Sequence, residues 1–383
     1  MRLTNARFLR DDFTFVTGDL LIRDGRIAAA GEFAATAGEE TVDLAGLTVI
    51  PGLIETHFHG VMGKDCSLGD PAVFDVFSAY LATQGITGFV PALLSSTEEV
   101  TRRFLVAGET SMRRGNYPGA TMEGLYLEGP FLSQEYKGAH DPAVLRDPSP
   151  ELLREWTQLA PGRVVRVIIA PELPGAEETT RWAVAHGIPV TVGHSAADCE
   201  LAGAAFDNGA TMVTHLFNAM SPLKHRAPGI PGAALTDDRV TCELIADFRH
   251  VAPAVVKLVC KVKGADRVCL ISDSVCQTGL PDGEFLWPDG RVSYSRDGLA
   301  YLPDGTINGS TSPVTVGVRN VISLGFAPED AIRMATLTPA RTIGKDAEIG
   351  SIAVGKRANL AVTDAHWQVR MTLVDGKTVY QTA

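Results

Sequence analysis

Eight short apolar runs recur through the middle of the chain, and helical stretches separate most of them. The runs are LTVIPGLIETH, GITGFVPALL, EGLYLEG, VVRVIIAPE, GIPVTVGH, GATMVTH, VTCELIAD and RVCLISD. Nearly continuous apolar strands that alternate with helices are typical of a parallel sheet covered by helices. Eight such units within about 220–250 residues predict an α/β fold with a (β/α)8 TIM-type barrel. A doubly wound parallel sheet is the structural alternative.

The two ends of the chain differ from this middle region and resemble each other. LLIRDGRIAAAG near the start and MTLVDGKTVYQ near the end each place an Asp-Gly turn between two apolar strands. This pattern is a strong hairpin signal. We therefore predict a small, split β-sandwich domain built from residues 1–51 and 346–383. Residues 52–345 would form the barrel domain.

Composition limits the partners and the compartment of this 383-residue chain. The 34 Lys and Arg residues against 45 Asp and Glu give a net charge of −11, which argues against nucleic acid or an anionic membrane as the main partner. No run approaches the ~20 apolar residues of a membrane span, and MRLTNARFLRDDF lacks the apolar core of a signal peptide. Six cysteines without a Cys-x-x-Cys pair indicate reduced thiols. We therefore expect a cytoplasmic protein.

The first apolar run ends in two histidines that are one residue apart. In a strand, His57 and His59 point to the same face, while Phe58 points to the other. Two imidazoles at that spacing can bind one metal ion. A polar strand end that simply meets water would show the same pattern, so the motif alone leaves both interpretations open.

Most of the other runs also end in candidate metal ligands. In a (β/α)8 barrel the carboxyl ends of the strands meet on one face, where active sites lie. Five of the nine histidines lie at or just past these ends, and this grouping favours a shared metal site over chance placement. Imidazole and carboxylate donors without a thiolate cluster suit Zn, Fe, Mn or Co. The charged and imidazole groups at or just past the later strand ends are Glu128, Glu172, His194, His215, Asp247, His250 and Asp273, of which Glu172 is left out of the predicted site.

Nine short motifs follow one another in an order that resembles the N-acetylglucosamine-6-phosphate deacetylase family of the amidohydrolase superfamily. They are HFHG, LEGPFL, KGAH, VGHS, THLFNAM, HRAPG, ADFRH, ISDS and NGS, and the resemblance covers nearly the whole chain. It implies one or two divalent metal ions per chain, with Zn favoured. The metal ligands that it implies are His57, His59, Glu128, His194, His215 and Asp273. The substrate-binding residues that it implies are Ala139, His140, Asn218, Ala219, Arg226, His250, Ile307, Asn308 and Gly309.

The resemblance also implies an activity. The expected reaction is metal-dependent hydrolysis of the N-acetyl group of N-acetyl-D-glucosamine 6-phosphate, which gives D-glucosamine 6-phosphate and acetate in amino-sugar catabolism. A metal lowers the pKa of its water to ~7. Asp273 would act as general base and then as general acid, and His140 would donate a hydrogen bond to the acetyl carbonyl. Arg226 and His250 would bind the phosphate, one of them across the interface of a homodimer.

Three segments around the expected sugar pocket depart from the usual motifs of the family. ADFRH contains Phe248 and Arg249 where the family has smaller residues, ISDSVCQTG is bulkier after Asp273, and INGS replaces the commoner LAGS. These departures leave the galactosamine epimer open as a substrate. Another amidohydrolase, such as a D-aminoacylase, is the alternative enzyme. A barrel that has lost its chemistry is a further alternative, but such chains usually lose a ligand or the aspartate.

The segment from residue 283 to residue 310 interrupts the last barrel unit. Its Pro-Asp-Gly, Arg-Asp-Gly and Pro-Asp-Gly turns predict a β-hairpin excursion. It is either surface decoration or a flap that leads into the loop at Asn308.

Overall fold

Eight parallel strands form the predicted barrel in the computed structural model, which describes residues 1–34, 40–287 and 290–382. The strands are β1 (Leu53–Phe58), β2 (Ile86–Leu94), β3 (Leu125–Glu128), β4 (Val164–Ile169), β5 (Val190–Val192), β6 (Met212–Val213), β7 (Thr241–Ile245) and β8 (Val268–Ile271). Each strand pairs with the next one along the chain. Two hydrogen bonds connect the segment after β8 to β1, from Asp273 N to His57 O (3.0 Å) and from His59 N to Ser274 O (2.7 Å). The predicted fold class is confirmed.

A helix follows each barrel strand and packs on the outside of the barrel. These helices are α1 (Pro71–Thr83), α2 (Glu98–Arg114), α3 (Pro150–Leu159), α4 (Ala176–Ala185), α5 (Cys199–Asp207), α6 (Gly229–Thr236), α7 (Pro253–Lys263) and α8 (Val314–Ser323). Side-chain oxygens of Asp70 and Thr97 cap α1 and α2 by accepting from backbone N–H groups of their first turns. Two further helices, α9 (Pro328–Met334) and α10 (Leu337–Thr342), pack against β8. Short elements complete the barrel domain: strands Gly60–Val61, Lys64–Asp65 and Thr121–Met122, and 3-10 turns Cys66–Leu68 and Pro142–Val144.

The alternation of β1 is determined by the residue between its two histidines. Phe58 is fully buried, and its ring packs edge-on against Phe77 of α1 (5.2 Å between centroids) and Phe89 of β2 (5.9 Å). Burial of one large apolar side chain stabilises a fold by about 1.5–3 kcal/mol. Because Phe58 is held on the outer side, His57 and His59 face the inside of the barrel.

Strands from both chain ends form a separate mixed sheet of eight strands. Both predicted hairpins are present, and all four residues of their Asp-Gly turns have positive φ, as a type I′ turn requires. The ends are joined where Thr48–Pro51 pairs with Leu360–Thr363. The strands are Arg2–Leu9, Phe15–Arg23, Arg26–Gly31, Thr41–Asp43, Thr48–Pro51, Leu360–Thr363, Val369–Val374 and Lys377–Gln381.

The apolar run LTVIPGLIETH spans the passage from the small sheet to the barrel. Its first half pairs within the small sheet, and its second half is β1. Gly52 lies between them, where a Cβ atom would come within 2.2 Å of the Thr87 side chain. The chain therefore crosses between the two sheets at a point where a larger residue does not fit. The domain limits at residues 51 and 346 stay a prediction, and residues 35–39 of the first segment lie outside the described residues.

The insertion between residues 283 and 310 folds into an antiparallel sheet of four strands. These are Gly283–Leu286, Val292–Arg296, Leu299–Tyr301 and Ile307–Ser310. The last of them is attached beside the end of β8, because Ser310 N donates to Asp273 O (2.9 Å) and Ser310 O accepts from Val275 N (3.0 Å). The first predicted Pro-Asp-Gly turn includes residues 288 and 289, which lie outside the described residues. A flap motion of this sheet stays a prediction.

Candidate active site

Six side chains converge at the carboxyl ends of the barrel strands. They form two groups in which the possible ligand atoms all lie within 4.8 Å of one another. The first group is His57, His59, Glu128 and Asp273, and the second is Glu128, His194 and His215. Glu128 belongs to both groups, so the two sets of possible ligands share one carboxylate.

Glu128 lies at the centre of this cluster. Its Oε2 atom lies 3.0 Å from Nε2 of His59. Donor atoms about 3–3.4 Å apart are what one ion with bonds of about 2.0–2.2 Å requires of its ligands. The spacing in the cluster therefore fits metal coordination. The Oε1 atom of Glu128 lies 3.3 Å from the Nε2 atoms of His57, His194 and His215.

The electrostatics of the cluster call for a cation. Nε2 of His57 and Oε2 of Glu128 are buried and have no hydrogen-bond partner among the described residues. With protein groups alone, the positive charge comes from histidine: burial lowers the pKa of His59, but the nearby Glu128 and Asp273 outweigh burial and raise that pKa to about 10. A divalent cation would supply this charge and would bind the histidines in their neutral form. The residues therefore fit a metal ion.

Hydrogen bonds on the far side of the rings orient His59 and His194 toward the cluster. Nδ1 of His59 lies 2.8 Å from the backbone oxygen of Ala92, and Nδ1 of His194 lies 2.9 Å from the backbone oxygen of Tyr136. A carbonyl oxygen only accepts, so Nδ1 carries the ring proton in both cases. Nε2 of each ring is then free to bind a metal.

A buried charged network orients the ring of His57. Nδ1 of His57 donates to Oε2 of Glu243 (2.9 Å), and the hydroxyl of Thr214 donates to the same oxygen (2.8 Å). The other oxygen of Glu243 accepts from the guanidinium of Arg166, which also donates to Thr342 (2.7 Å). Glu243 and Arg166 are completely buried. A carboxylate in this position fixes the orientation of a metal-binding histidine and increases its basicity.

Three cluster residues have an unusual backbone conformation. The φ angles of His194, His215 and Asp273 are 46°, 24° and 51°, in the left-handed region that non-glycine residues rarely adopt. Each of the three lies two residues beyond the end of its barrel strand. Such conformations cost free energy and collect at functional sites, where the surrounding structure imposes them. Here they turn the side chains inward at the end of the barrel.

A cavity of about 290 Å³ contains most of the predicted site residues. His57 is completely buried and is not part of its surface. Arg226 also does not line it. The cavity is therefore formed by the cluster together with the loops predicted to hold the sugar. The predicted residues that line it are His59, Glu128, Ala139, His140, His194, His215, Asn218, Ala219, His250, Asp273, Ile307, Asn308 and Gly309.

The two predicted phosphate-binding residues lie in different places. The side chain of His250 is 4 % exposed, and its Nδ1 pairs with Asp247 (2.7 Å), which leaves a buried Nε2 atom without a partner among the described residues. Arg226 is exposed on the loop after β6 and lines a separate cavity of about 340 Å³. Within one chain, only His250 reaches the cavity of the cluster. A role for Arg226 at the phosphate stays a prediction.

A cleft larger than this cavity lies elsewhere and is not the candidate site. It has a volume of about 710 Å³ and opens beside the amino-terminal ends of β4 and β5, where Arg163 and Ile188 line it. The six clustered side chains instead lie at the carboxyl ends of the strands, where the active sites of such barrels are found.

Several residues of the site were missed in the sequence. Glu243 and Arg166 are charged residues inside the apolar runs VTCELIAD and VVRVIIAPE, and that interruption was a usable signal of an inward-facing ion pair. Glu135 and Tyr136 line the cavity from a loop that has no comparable pattern.

Glu172 lies just after β4 and is not a member of the cluster. Its carboxylate instead accepts hydrogen bonds from the loop after β5, from Ser195 Oγ and from the backbone N–H of Ala196, both at 2.6 Å.

Comparisons with known proteins agree with this architecture. Residues 48–379 match the amidohydrolase family. The chain is 34% identical over 361 residues to an N-acetylglucosamine-6-phosphate deacetylase of Vibrio furnissii, covering 94% of this chain and 90% of the relative. It is also 34% identical over 376 residues to an N-acetylgalactosamine-6-phosphate deacetylase of Escherichia coli O157:H7, covering 98% of each.

A solved structure shows the same fold over the full length. The N-acetyl-D-glucosamine-6-phosphate deacetylase of Mycobacterium smegmatis, in complex with N-acetyl-D-glucosamine-6-phosphate, superposes with a TM-score of 0.91 at 32% identity. The match covers 100% of this chain and 99% of that one. The chain belongs to the amidohydrolase family, and its resemblance to the N-acetylglucosamine-6-phosphate deacetylases within that family is confirmed.

The network behind His57 leads to a prediction about Glu243→Gln. A neutral amide has one acceptor for three donors, and it leaves Arg166 buried without a counter-charge. We expect the variant to lose about 3–5 kcal/mol of unfolding free energy and to bind metal about 10–100-fold more weakly. Denaturant unfolding of the metal-free protein and metal titration measure the two effects.

A double variant separates these two effects. Arg166→Met in the Glu243→Gln background removes the unpaired charge, so we expect it to recover much of the stability without recovering metal affinity. Wild-type metal affinity in the single variant would show that Glu243 does not position His57.

Proposed function

We propose that this chain removes the acetyl group of N-acetyl-D-glucosamine 6-phosphate by hydrolysis and yields D-glucosamine 6-phosphate and acetate, a step of amino-sugar catabolism. The observation that supports this most strongly is the Glu128 cluster in one cavity with His140, His250 and the loop at Asn308. The galactosamine epimer is the second candidate substrate, because a relative named for that epimer is equally similar to this chain.

The proposed cofactor is a divalent metal ion, one or two per chain, with Zn favoured and Fe, Mn or Co as alternatives. His57, His59, Glu128 and Asp273 would hold one ion, and Glu128 with two further histidines would hold the other. Nitrogen and oxygen donors without a cysteine thiolate suit these metals. When bound, the ion lowers the pKa of a coordinated water and polarises the amide carbonyl.

His140 is suited to donate a hydrogen bond to the acetyl carbonyl. Its Nδ1 atom accepts from the backbone N–H of Ser95 (3.1 Å). Burial lowers its pKa well below the ordinary value, and the nearby His194 lowers it further, so the ring is neutral. A neutral imidazole that accepts at Nδ1 carries its proton on Nε2. That proton can stabilise the negative charge that develops on the carbonyl oxygen in the transition state.

Asp273 is suited to move the proton of the reaction. Its Oδ1 atom lies 3.0 Å from Nε2 of His59, and 15 % of its side chain is exposed, so substrate and water can reach it. As general base it would take a proton from the attacking water at one carboxylate oxygen. As general acid it would then give that proton to the departing amine. One group can serve in both steps because the steps follow each other.

Recognition of the phosphate is proposed to involve two subunits. His250 offers a buried Nε2 atom in the cavity of its own chain. Arg226 is exposed and does not line that cavity. We propose a homodimer in which Arg226 contributes to the site of the neighbouring chain. A guanidinium forms paired, charge-assisted hydrogen bonds with phosphate.

We also propose a ligand and a cellular compartment that fit this reaction. A sugar phosphate is the proposed ligand, and a cytoplasmic location fits six cysteines that form no disulfide bond, five of them buried. Within the described residues, the structure contains no helix with the length and hydrophobicity of a membrane span.

The role of Asp273 predicts the behaviour of Asp273→Asn. An amide of the same shape cannot accept the proton of water, so we expect kcat to fall by at least ~10²–10⁴, while the fold persists and metal binding weakens only modestly. Acetate release and metal content measure this, with the exposed Asp304→Asn as the matched control. Turnover near that of the wild type in a metal-loaded Asp273→Asn protein would rule the role out.

Phosphate recognition predicts a substrate preference. Charge-assisted hydrogen bonds contribute about 1.5–3 kcal/mol each, so the 6-phosphorylated sugar should have a kcat/KM at least ~10²-fold above that of free N-acetylglucosamine. Arg226→Ala should remove most of this preference without changing metal content. Lys224→Ala, on the same exposed loop, should keep it. Equal rates on both sugars in the wild type would contradict the proposed substrate.

Mixed dimers test whether Arg226 acts across the interface. A dimer of one Arg226→Ala chain and one Asp273→Asn chain has a complete site only if the arginine serves its neighbour. We expect mixing of the two variants to restore the activity that each homodimer lacks. If mixed dimers stay inactive, Arg226 serves its own chain or does not bind substrate.

A further inference from the structure

Asn308 is directed into the cavity by an irregularity in its strand. The neighbouring strand of the insertion pairs Ala300 with Gly309 and Tyr301 with Ile307, so Asn308 is the extra residue of a β-bulge. Bulges beside active sites change the direction in which a side chain points. Both Ile307 and Asn308 line the cavity, but Ile307 is 40 % exposed whereas Asn308 is only 6 % exposed.

The backbone at Asn308 is held firmly beside the end of β8. Ser310 N donates to Asp273 O, and a Cβ atom on Gly309 would lie 2.7 Å from that same oxygen and 2.6 Å from the Val275 side chain. The strand cannot move closer to Asp273 and is tied to it by a hydrogen bond. The Asn308 amide is therefore placed on the rim of the cavity where Asp273 lies.

Both polar atoms of the Asn308 side chain are without a partner. Oδ1 and Nδ2 are buried and form no hydrogen bond with any described residue. Asn218, the other asparagine of the cavity, differs because its Nδ2 donates to the backbone oxygen of His215 (3.1 Å). Buried polar groups are almost always hydrogen-bonded, and the exceptions require an explanation. A bound ligand that pairs with both halves of the amide supplies one.

The two free atoms restrict the chemistry of that ligand, which must offer an acceptor to Nδ2 and a donor to Oδ1. An ionised phosphate offers acceptors only. The acetamido group of the substrate already contacts His140 and Asp273 in the proposed reaction. Hydroxyl groups donate and accept, and two neighbouring hydroxyls on a sugar ring match the two ends of an amide.

We infer that the Asn308 amide binds the neighbouring C3 and C4 hydroxyls of the hexosamine and determines which sugar is accepted. The inference rests on the proposed deacetylation and makes its substrate more specific. A site built to bond a hydroxyl discriminates strongly against a ligand that lacks it, because its own polar groups are then left unpaired.

Deoxy sugars test this inference directly. The measurement is kcat/KM for N-acetylglucosamine 6-phosphate, its 3-deoxy and 4-deoxy analogues, and the C4 epimer, with wild type, Asn308→Ala and Asn308→Ser. In the wild type, at least one deoxy analogue should be slower by ~10-fold or more. In Asn308→Ala the same analogue should have a kcat/KM only about 2-fold or less below that of the parent sugar, and the ratio of kcat/KM between the two C4 epimers should be smaller. Asn308→Ser should give intermediate values. Metal content should stay unchanged.

The controls distinguish this inference from the proposed function. Asn116→Ala, the same substitution at an exposed asparagine, should reproduce the wild-type profile. If the deoxy analogues lose the same factor in wild type and in Asn308→Ala, the inference is wrong while the proposed function stands. If the wild type hydrolyses none of the phosphorylated N-acetyl sugars, the proposed function itself fails, and the inference fails with it.

Discussion

The contact of one buried carboxylate with four imidazoles is the interaction on which the site depends. Glu128 is 1 % exposed, and its two oxygens lie 3.0–3.3 Å from four histidine Nε2 atoms. Buried charged groups at this separation are stable only if opposite charges compensate them. A divalent cation held here would compensate the charge of Glu128 and would be bound by the rings in their neutral form. Because the carboxylate faces both pairs of histidines, one residue couples the two candidate metal positions.

The barrel makes this contact possible by bringing distant parts of the chain to one rim. The candidate ligands come from the ends of β1, β3, β5, β6 and β8, and several of them are held from behind. Phe58 anchors the strand of the first pair, Glu243 and Arg166 hold the His57 ring, and the insertion is attached to the backbone at Asp273. The cluster is therefore preorganised, which limits the reorganisation that metal binding and catalysis require.

Much of this arrangement could be predicted from the sequence, because periodicity and strand-end placement are local signals. The eight runs, the Asp-Gly hairpins and the strand-end cluster of candidate ligands could be recognised in this way. The left-handed backbone at His194 and His215 could not, because tertiary contacts impose it. The pairing of Glu243 with Arg166 depends on two strands that are separate in sequence. The bulge at Asn308 depends on strand register, which the turn motifs do not determine.

Metal content in a variant without the first histidine pair is the most direct test of the central claim that Glu128 serves two adjacent positions. Metal per chain and metal affinity are measured for the wild type and for a His57→Ala, His59→Ala double variant, both prepared without added metal. We predict at least one tightly held divalent ion per wild-type chain. In the double variant, we predict that an ion is lost or that the remaining ion binds more weakly. Unchanged stoichiometry and affinity in the double variant would contradict the claim.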